Sequence, residues 1–534
     1  MDDFRMRWAD LVKDLADLTS AANLARRLGT DPREIRRWKD GRTKPQGRYA
    51  QMLIDECQTG GVNWRKYQRL ALVYDVRNSF EENTSDGPHS LSSTHDPYIP
   101  ERSTRFLGHP LNSPLGIPAC VLTIDSHWVE PFSRYGFDVI TAKTVRTRRT
   151  VVHPFPNWMY LPELTKAIAV GEFPECVRNV SHAPDAIVGR VSTANSFGMP
   201  SLEPEVWQPE LVRSREVLRE GQMLIASVVG TADDGDVVGL ISDFVRCAHL
   251  ANESRPHAIE LNFSCPNVYG QEGSLCRNPE VAAKICALLD SELGGTPLLI
   301  KIGYLPPGEL QQLFMATYKH AHGFTAINTI PARIVSCAQR EEPAFPGSVR
   351  AKAGISGVAI KDHANAAIRA LRSLADVHKA EIEIIGVGGV SCADDVREKV
   401  EAGANVVQMC TAVNSNPFIA QEIRQEMASR FDPRAAAKVF GHSVAFTDST
   451  VLAAFESTAK ACEGLRVPFE VGLQALAQNW LTGYLSEIQA LKTTTQSGFR
   501  TRREPPKQEQ ISDWIKSNNR NVKAKAPDMG GTHR

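Results

Sequence analysis

Short β-rich segments alternate with helical segments over residues 104–430, and this alternation constrains the fold more than any other feature. The β-rich segments read DVITAKT, MLIASVV, AIELNFSC, LLIKIGY, GFTAINT, EIIGVGGV and ANVVQMC. Helical periodicity lies between them, for example at 280–289 and 361–374. Such alternation is typical of a parallel sheet with crossover helices. About eight such units in roughly 330 residues predict a (β/α)8 barrel, a TIM barrel, rather than an open sheet.

Residues 1–58 predict a small all-α domain in front of the barrel. Apolar residues recur at helical spacing near the start of the chain. Ser20 is expected to cap a second helix that ends at Gly29. Asp31 followed by Pro32 predicts the start of a third helix, with Asp31 as its N-cap.

The remaining segments differ in composition from these two domains. Residues 59–103 are expected to be a linker, because the segment is rich in Ser, Asp, Pro and His and lacks periodicity. Helical spacing returns in 431–492 and predicts a helical extension. The polar segment 493–534 predicts a disordered basic tail.

Charge and cysteine content exclude several classes of protein. Lys plus Arg equals Asp plus Glu at 61 each, although residues 20–45 carry a local excess of basic side chains. The eleven cysteines are widely spaced with no C-x-x-C pair, so we predict neither a disulfide framework nor a metal site. No apolar stretch reaches about 18 residues, so no membrane span is expected. The mixed-charge start is not typical of a secretory signal, and we expect a cytoplasmic protein.

One β-rich segment ends in polar residues and a cysteine. The sequence AIELNFSCPN places Asn262, Cys265 and Asn267 at its carboxyl end, where the active site of a (β/α)8 barrel lies. Asparagine both donates and accepts hydrogen bonds, which suits the edge of a planar ring that contains amides. Cysteine in this position can act as an acid, a base or a nucleophile. The alternative is that Cys265 is a small buried apolar residue.

Two lysines and further polar residues also follow β-rich segments. Lys143 and Lys301 are candidates to bind a phosphate, a carboxylate or the electron-rich end of a flavin. The alternative for each lysine is a salt bridge at the barrel rim. Asn328 and Thr329 end another β-rich segment, and Asn195 lies in a loop of small residues, but each is a weak signal by itself.

A glycine-rich turn at 386–389 precedes a predicted helix. Backbone N–H groups at such a position bind phosphate. The next β-rich segment ends at Cys410 and Thr411, so the two loops match the phosphate site that follows the last two strands of many barrels. The alternative is a tight turn that requires glycine for its backbone conformation.

Residues 104–430 resemble the dihydroorotate dehydrogenase family, including the related barrel of dihydropyrimidine dehydrogenase. The motifs that carry the resemblance are AKT, ANSFGMP, ELNFSCPN, IK, INT, GISGVAIKDHA and IIGVGGVSCADDVREKVEAGANVVQMCTAV. The resemblance implies FMN as cofactor and chemistry at the C5–C6 bond of a pyrimidine. By resemblance, the FMN-binding residues are Lys143, Asn262, Lys301, Gly357, Gly388, Gly389, Cys410 and Thr411. Those expected around the pyrimidine are Asn195, Asn262, Asn267, Asn328 and Thr329, with Cys265 as acid/base and Lys143 beside it in the catalytic site.

The sequence departs from the family pattern in ways that leave the substrate open. Cys120 stands where the family has glycine in the first loop. The segment 331–353 and the CTAV motif resemble dihydropyrimidine dehydrogenase, whereas ANSFG and CPN resemble the dihydroorotate enzymes. Dihydroorotate, uracil or thymine, and a related heterocycle are therefore all candidate substrates. No cysteine cluster for an iron–sulfur relay is evident, so the electron partner is unassigned.

A different FMN barrel is a weaker alternative. The segment NFSCPNVYGQEGSLCRNPEVAAKI also resembles the Cys-Pro loop of tRNA-dihydrouridine synthases, in which case Cys276 competes with Cys265 for the catalytic role. The rest of the barrel, notably GISGVAIKDHA, does not fit that family.

The N-terminal domain resembles the helix-turn-helix of Cro/C1-type phage repressors. The segment SAANLARRLGTDPREIRRWKDGRTKP carries the resemblance. It implies that Arg33, Arg36, Arg37 and Lys39 face DNA. It also favours a homodimer, because such modules bind DNA in pairs. The alternatives are a transcription regulator whose barrel senses a pyrimidine or the flavin redox state, and an enzyme whose N-terminal helices serve only in oligomerisation.

Overall fold

The computed structural model describes most of the barrel region and separate parts of the rest of the chain. The described residues are 2–43, 45, 49, 52–53, 56, 72–88, 104–174, 176–178, 190–233, 236–264, 275–336, 342–345, 352–430, 453–454, 457–458, 460–461, 475–476, 479–480 and 504–518. The chain divides into two compact units, one formed by 1–100 with 114–422 and the other by 101–113 with 423–534.

The chain begins with three helices, α1 (Asp2–Thr19), α2 (Ala21–Leu28) and α3 (Pro32–Lys39). The Ser20 hydroxyl accepts a hydrogen bond from the Asn23 N–H at 3.3 Å and caps α2. Gly29 ends α2 in the left-handed conformation, with φ +62°. Asp31 caps α3. Leucines and other apolar residues pack between the three helices: Leu11, Val12, Leu15, Leu24, Leu28, Ile35 and Trp38. The predicted caps at Ser20, Gly29 and Asp31 are confirmed.

Fifteen strands lie in the described residues. They are β1 (Thr104–Phe106), β2 (His109–Leu111), β3 (Leu115–Ile117), β4 (Val139–Val145), β5 (Trp158–Tyr160), β6 (Cys176–Arg178), β7 (Ser192–Asn195), β8 (Met223–Val228), β9 (Ala258–Asn262), β10 (Leu298–Ile302), β11 (Gly323–Ala326), β12 (Ile330–Val335), β13 (Ala353–Gly357), β14 (Glu383–Val387) and β15 (Val406–Gln408).

Eight of these strands close into a parallel barrel in chain order. The barrel strands are β3, β4, β8, β9, β10, β11, β14 and β15. Closure comes from the pairing of β15 with β3, where Val407 lies opposite Leu115 and Gln408 opposite Gly116. All residues of β8, β9 and β10 are buried, as expected for strands covered on both faces. The predicted (β/α)8 barrel is confirmed.

Helices follow the barrel strands and cover them. In chain order the further helices of the described residues are α4 (Phe80–Asp86), α5 (Ser126–Arg134), α6 (Pro204–Glu216), α7 (Val237–Glu253), α8 (Pro279–Glu292), α9 (Pro307–Thr317), α10 (Lys361–His378), α11 (Ala393–Glu401), α12 (Thr411–Ser415), α13 (Ile419–Arg430) and α14 (Gln508–Asn518). Proline occupies the first turn of α6, α8 and α9, where its missing N–H costs no hydrogen bond. None of the described helices is both long and apolar enough to cross a membrane.

A second sheet of five short strands is inserted between barrel strands. Its order is β5-β7-β13-β12-β6, and its strands come from the segments after β4 and after β11. β7 is antiparallel to both of its neighbours, β5 and β13. The sequence did not predict this sheet, because strands of three to six residues carry too little alternation to be recognised.

The predicted linker contains ordered structure. Helix α4 lies within it and begins with a capping box, in which the Ser79 hydroxyl accepts from the Glu82 N–H and the Glu82 carboxylate accepts from the Ser79 N–H. Nearby, the Tyr74 N–H donates to the Asn414 side-chain oxygen at 2.7 Å. The contact between Tyr74 and Asn414 joins residues 340 positions apart, so the composition and periodicity of the segment alone could not reveal it.

The tail also differs from the expectation of disorder, because 508–518 form helix α14. Ile511 and Ile515 lie one helical turn apart and are fully buried. The predicted helical extension at 431–492 lies almost wholly outside the described residues. Its limits, and the other predicted domain boundaries, stay predictions.

Candidate active site

A cavity of about 160 Å³, open at one side, lies at the carboxyl ends of the barrel strands. Most of the residues predicted for FMN and for the pyrimidine line it: Lys143, Asn195, Asn262, Lys301, Asn328, Thr329, Gly357, Gly388, Gly389, Cys410 and Thr411. The strands bring these residues together because the carboxyl ends of parallel barrel strands meet on one face. Cys265 and Asn267 lie outside the described residues, so their places in the site stay predictions.

The two lysines enter the cavity from β4 and β10. The Lys301 ammonium donates to the Ala119 carbonyl at 3.4 Å and lies 3.8 Å from a carboxylate oxygen of Glu260. Glu260 is fully buried, and neither of its carboxylate oxygens has a hydrogen-bond partner among the described residues. The ion pair is therefore inside the barrel rather than at its rim. Lys143 donates to the Pro200 carbonyl at 3.3 Å.

Polar side chains on neighbouring strands converge beside the lysines. The Asn262 amide donates to the Thr144 hydroxyl at 3.2 Å, and its side-chain oxygen accepts from the Ser264 N–H at 3.3 Å. Asn328 donates to the Ser264 carbonyl. The Thr329 hydroxyl is buried and has no hydrogen-bond partner among the described residues. These hydrogen bonds hold the Asn262 side chain and the Ser264 backbone in place, just before the segment that contains Cys265.

The glycine loops have the geometry of an anion cradle. Gly388 and Gly389 have φ values of +111° and +76°, which other residues rarely adopt. A Cβ at Gly389 would lie 2.5 Å from the Lys361 Cβ, and one at Gly357 would lie 2.2 Å from the Val191 carbonyl oxygen. Gly389 and Gly357 are thus required both because their φ values are positive and because a Cβ would clash with neighbouring atoms. This supports a phosphate cradle but also agrees with a tight turn.

Several cavity residues were missed by the sequence analysis. Thr144 follows Lys143 in the AKT motif and was detectable as its neighbour. Ser356 precedes Gly357 and hydrogen bonds to the Thr193 hydroxyl at 2.8 Å. Trp158 has a buried indole N–H with no partner among the described residues, and it lines the cavity from β5. No sequence signal marked Trp158, because it belongs to the unpredicted sheet.

The predicted DNA-facing residues lie on α3, away from the apolar face of that helix. Arg33, Arg36 and Arg37 are exposed and Lys39 is half-buried. Arg37 pairs with Glu34 at 2.7 Å, and the Lys39 ammonium lies 3.3 Å from the Asp17 carboxylate.

Comparison with known proteins decides the family of the barrel. A profile of the family described as dihydroorotate dehydrogenase matches residues 164–431, half of the chain. The chain belongs to the dihydroorotate dehydrogenase family. It is accordingly an oxidoreductase that acts on CH–CH groups, and the enzymes of this family are FMN-dependent flavoproteins.

Individual relatives agree with this assignment. A dihydroorotate dehydrogenase of Dictyostelium discoideum is 29% identical over 66% of this chain and 96% of its own length. Dihydroorotate dehydrogenase A (fumarate) of Limosilactobacillus reuteri is 31% identical over 38% of this chain, and the alignment spans 61% of that protein. A crystal structure of DHODH from Eimeria tenella in complex with ferulenol has a TM-score of 0.50 at 18% identity, covering 64% of this chain and 87% of that one, which supports the fold.

The residues around the cavity fit FMN. The glycine turns at 388–389 expose backbone next to a space that a Cβ would fill, which suits a phosphate. Lys143 and Lys301 line the cavity with two basic side chains, which suits the electron-rich end of the ring system. Ile327, Ile360 and Met409 add apolar wall for its planar faces.

Proposed function

We propose that this chain catalyses redox chemistry at the C5–C6 bond of a pyrimidine, with dihydroorotate as the first candidate substrate and FMN in the barrel cavity. The observation that carries the proposal is that residues suited to both molecules line one cavity. The names of the relatives from Dictyostelium and Limosilactobacillus support dihydroorotate.

Each group of residues has a role in this proposal. Bound FMN supplies hydride-accepting chemistry. Gly357, the 388–389 turn and the 410–411 loop hold the cofactor, with Lys143 and Lys301 at its electron-rich end. Asn195, Asn262, Asn267, Asn328 and Thr329 hold the pyrimidine through its amide edge. Cys265 moves the proton at C5, since hydride and proton leave from neighbouring carbons.

The test is anaerobic absorbance of the purified protein during titration with dihydroorotate, dihydrouracil and dihydrothymine. Bleaching of the flavin band by dihydroorotate supports the first candidate. Bleaching by dihydrouracil or dihydrothymine alone indicates a substrate of the dihydropyrimidine dehydrogenase type, which the segment 331–353 resembles. A flavin that none of the three bleaches overturns the pyrimidine proposal.

We propose a second function for the N-terminal helices, DNA binding by α2 and α3 as a helix-turn-helix in a homodimer. A turn of three residues joins the two helices. Arg33, Arg36 and Arg37 project from α3 on the face opposite the buried Ile35 and Trp38. Clustered arginine on a second helix is typical of a recognition helix.

The double substitution Arg36→Ala with Arg37→Ala tests DNA binding. We expect lower DNA affinity and a salt dependence that is smaller by about two phosphate contacts. A matched control is Arg213→Ala with Arg215→Ala, which removes two basic residues from the barrel helix α6. Equal affinity of wild type and the α3 variant for DNA, or equal loss in both variants, contradicts the proposal.

A further inference from the structure

Two cysteines meet in the wall of the active-site cavity. Cys120 follows β3 and Cys410 follows β15, and these two strands are the parallel pair that closes the barrel. Both side chains are half-buried and both line the cavity. Each of the two side chains shifts the pKa of the other, and neither cysteine is in a disulfide. Barrel closure therefore brings both side chains into one cavity wall, although 290 positions separate them in the sequence.

Two lysines, Lys301 and Lys143, lie near Cys120. The Lys301 ammonium donates to the carbonyl of Ala119, the residue just before Cys120. Burial raises the pKa of Cys120, but the hydrogen bond from Cys410, a backbone hydrogen bond from Leu122 and the charges of Lys301 and Lys143 outweigh it and lower that pKa. The hydrogen bond to Cys120, followed by burial, raises the pKa of Cys410. A thiol with a lowered pKa beside a second thiol is the arrangement that supports thiol–disulfide chemistry.

Other described cysteines behave as small buried apolar residues. Burial raises the pKa of Cys247, Cys276 and Cys286, the first to about 12. Among the described cysteines whose pKa is shifted, Cys120 is the one whose pKa is lowered. A purely structural role for Cys120 does not account for its place beside a second thiol and two lysines.

We propose that Cys120 and Cys410 form a redox-active dithiol that exchanges two electrons with the flavin of this enzyme. Oxidation of the pair breaks two S–H bonds and forms one S–S bond, and oxidised flavin takes up the two electrons and two protons. The reverse reaction returns them from reduced flavin to the disulfide. No other reactant is needed for the exchange. The proposal rests on the proposed function, since it requires FMN in the cavity.

A reductive titration of the holoenzyme tests the pair. The protein is oxidised with ferricyanide, freed of excess oxidant and titrated anaerobically with dithionite, while absorbance follows the flavin. We expect the wild type to take up about four electrons per flavin rather than about two, because the disulfide accepts two more. In parallel, alkylation of free thiols and peptide mapping by mass spectrometry should show a Cys120–Cys410 linked peptide that disappears on reduction.

Single substitutions identify the thiols responsible. Cys120→Ser and Cys410→Ser should each lower the uptake to about two electrons per flavin and abolish the linked peptide. Cys392→Ser is the matched control, because Cys392 is also half-buried but lies outside the cavity lining. It should keep both the larger uptake and the linked peptide.

The outcomes separate this proposal from the one on which it rests. A flavin-containing wild type that takes up about two electrons and yields no linked peptide overturns the redox pair and leaves the flavin enzyme intact. Protein that holds no flavin overturns both proposals. If Cys120→Ser takes up as many electrons per flavin as wild type, the redox pair is also overturned. The extra electrons then go to other thiols, which the peptide mapping identifies.

Discussion

At the scale of single residues, Lys301 and Glu260 form a buried ion pair at the cavity. Lys301 is 4% exposed and Glu260 is fully buried, so each compensates the charge of the other. A buried charge that loses its partner is strongly destabilising, whereas removal of both charges is often tolerated. The functional and structural roles of Lys301 are therefore separable by substitution.

Lys301→Met should lower the free energy of unfolding by about 3 kcal/mol or more, because Glu260 is left buried without its counter-ion. The double variant Lys301→Met with Glu260→Leu should regain most of this loss. Both variants should bind flavin more weakly than wild type. Urea unfolding and flavin fluorescence measure the two effects. Tight flavin binding by either variant would remove Lys301 from the cofactor site.

Cys265→Ser should leave flavin bound and slow its reduction by dihydroorotate about 100-fold or more, because the proton at C5 loses its acceptor. Anaerobic stopped-flow absorbance measures the rate. The matched control is Cys276→Ser, since Cys276 follows in the same part of the chain but is not among the residues that line the cavity. Unchanged reduction in Cys265→Ser, or equal slowing in both variants, would be inconsistent with the assigned role.

At the scale of elements, the turn after β14 combines a backbone requirement with close packing against a neighbouring helix. Gly389 needs its positive φ, and the neighbouring α10 leaves no room for a side chain. Gly295 has a similar φ of +90° but no atom within 4 Å of a Cβ built there. The two positions thus share the conformational requirement and differ in crowding.

Gly389→Ala should destabilise the protein more than Gly295→Ala. Each pays about 1–2 kcal/mol for the left-handed backbone, and only Gly389→Ala must also displace Lys361. We further expect weaker flavin binding in Gly389→Ala alone, measured by flavin release on dilution. Equal flavin affinity in the two variants would favour a tight turn over a phosphate cradle.

Prediction from sequence worked best for elements with local signals. Helices α2 and α3 were predictable from Ser20, Gly29 and Asp31, because caps act within a few residues. Helix α4 and the five-stranded sheet were missed. The capping box of α4 is local but sits in a segment without hydrophobic periodicity, and the short strands are specified by their partners rather than by their own residues.

At the scale of the whole molecule, a fully buried lysine makes stability depend on pH. Lys399 lies on α11, where its ammonium donates to the Asn365 side-chain oxygen at 2.8 Å. Burial lowers the pKa of Lys399 to about 7, although Asp395 and Glu398 oppose the shift. Unfolded chains keep this proton to a pH of about 10.4. Between these two values the unfolded state binds more protons, so stability rises with pH.

Lys399→Met should remove this dependence of stability on pH. In wild type, Lys399 makes the free energy of unfolding rise by at most about 1.4 kcal/mol per pH unit above pH 7. At lower pH the lysine adds no slope, because it is protonated in both the folded and the unfolded state. Urea unfolding at several pH values from 7 to 9.5 measures the slope. Lys284→Met, an exposed lysine on α8, is the matched control and should keep the wild-type slope. A Lys399→Met slope equal to that of wild type would contradict the assignment.

The sequence by itself determined the barrel and most of the polar residues expected to bind ligands in its cavity. Alternating strand and helix signals are local, and the carboxyl end of each strand is visible as the point where an apolar run turns polar. Lys143, Asn262 and Lys301 were identified in this way and line the cavity. Cys265 and Asn267 were proposed by the same argument and stay predictions.

Only the tertiary structure decided which residues meet across the barrel. The pairing of β15 with β3 brings Cys410 and Cys120 into the lining of one cavity, and the second sheet brings Trp158 to it. The Glu260–Lys301 pair likewise joins two adjacent barrel strands, β9 and β10. Such contacts depend on barrel closure and register, which are set by packing between distant segments and leave no periodic signal in the sequence.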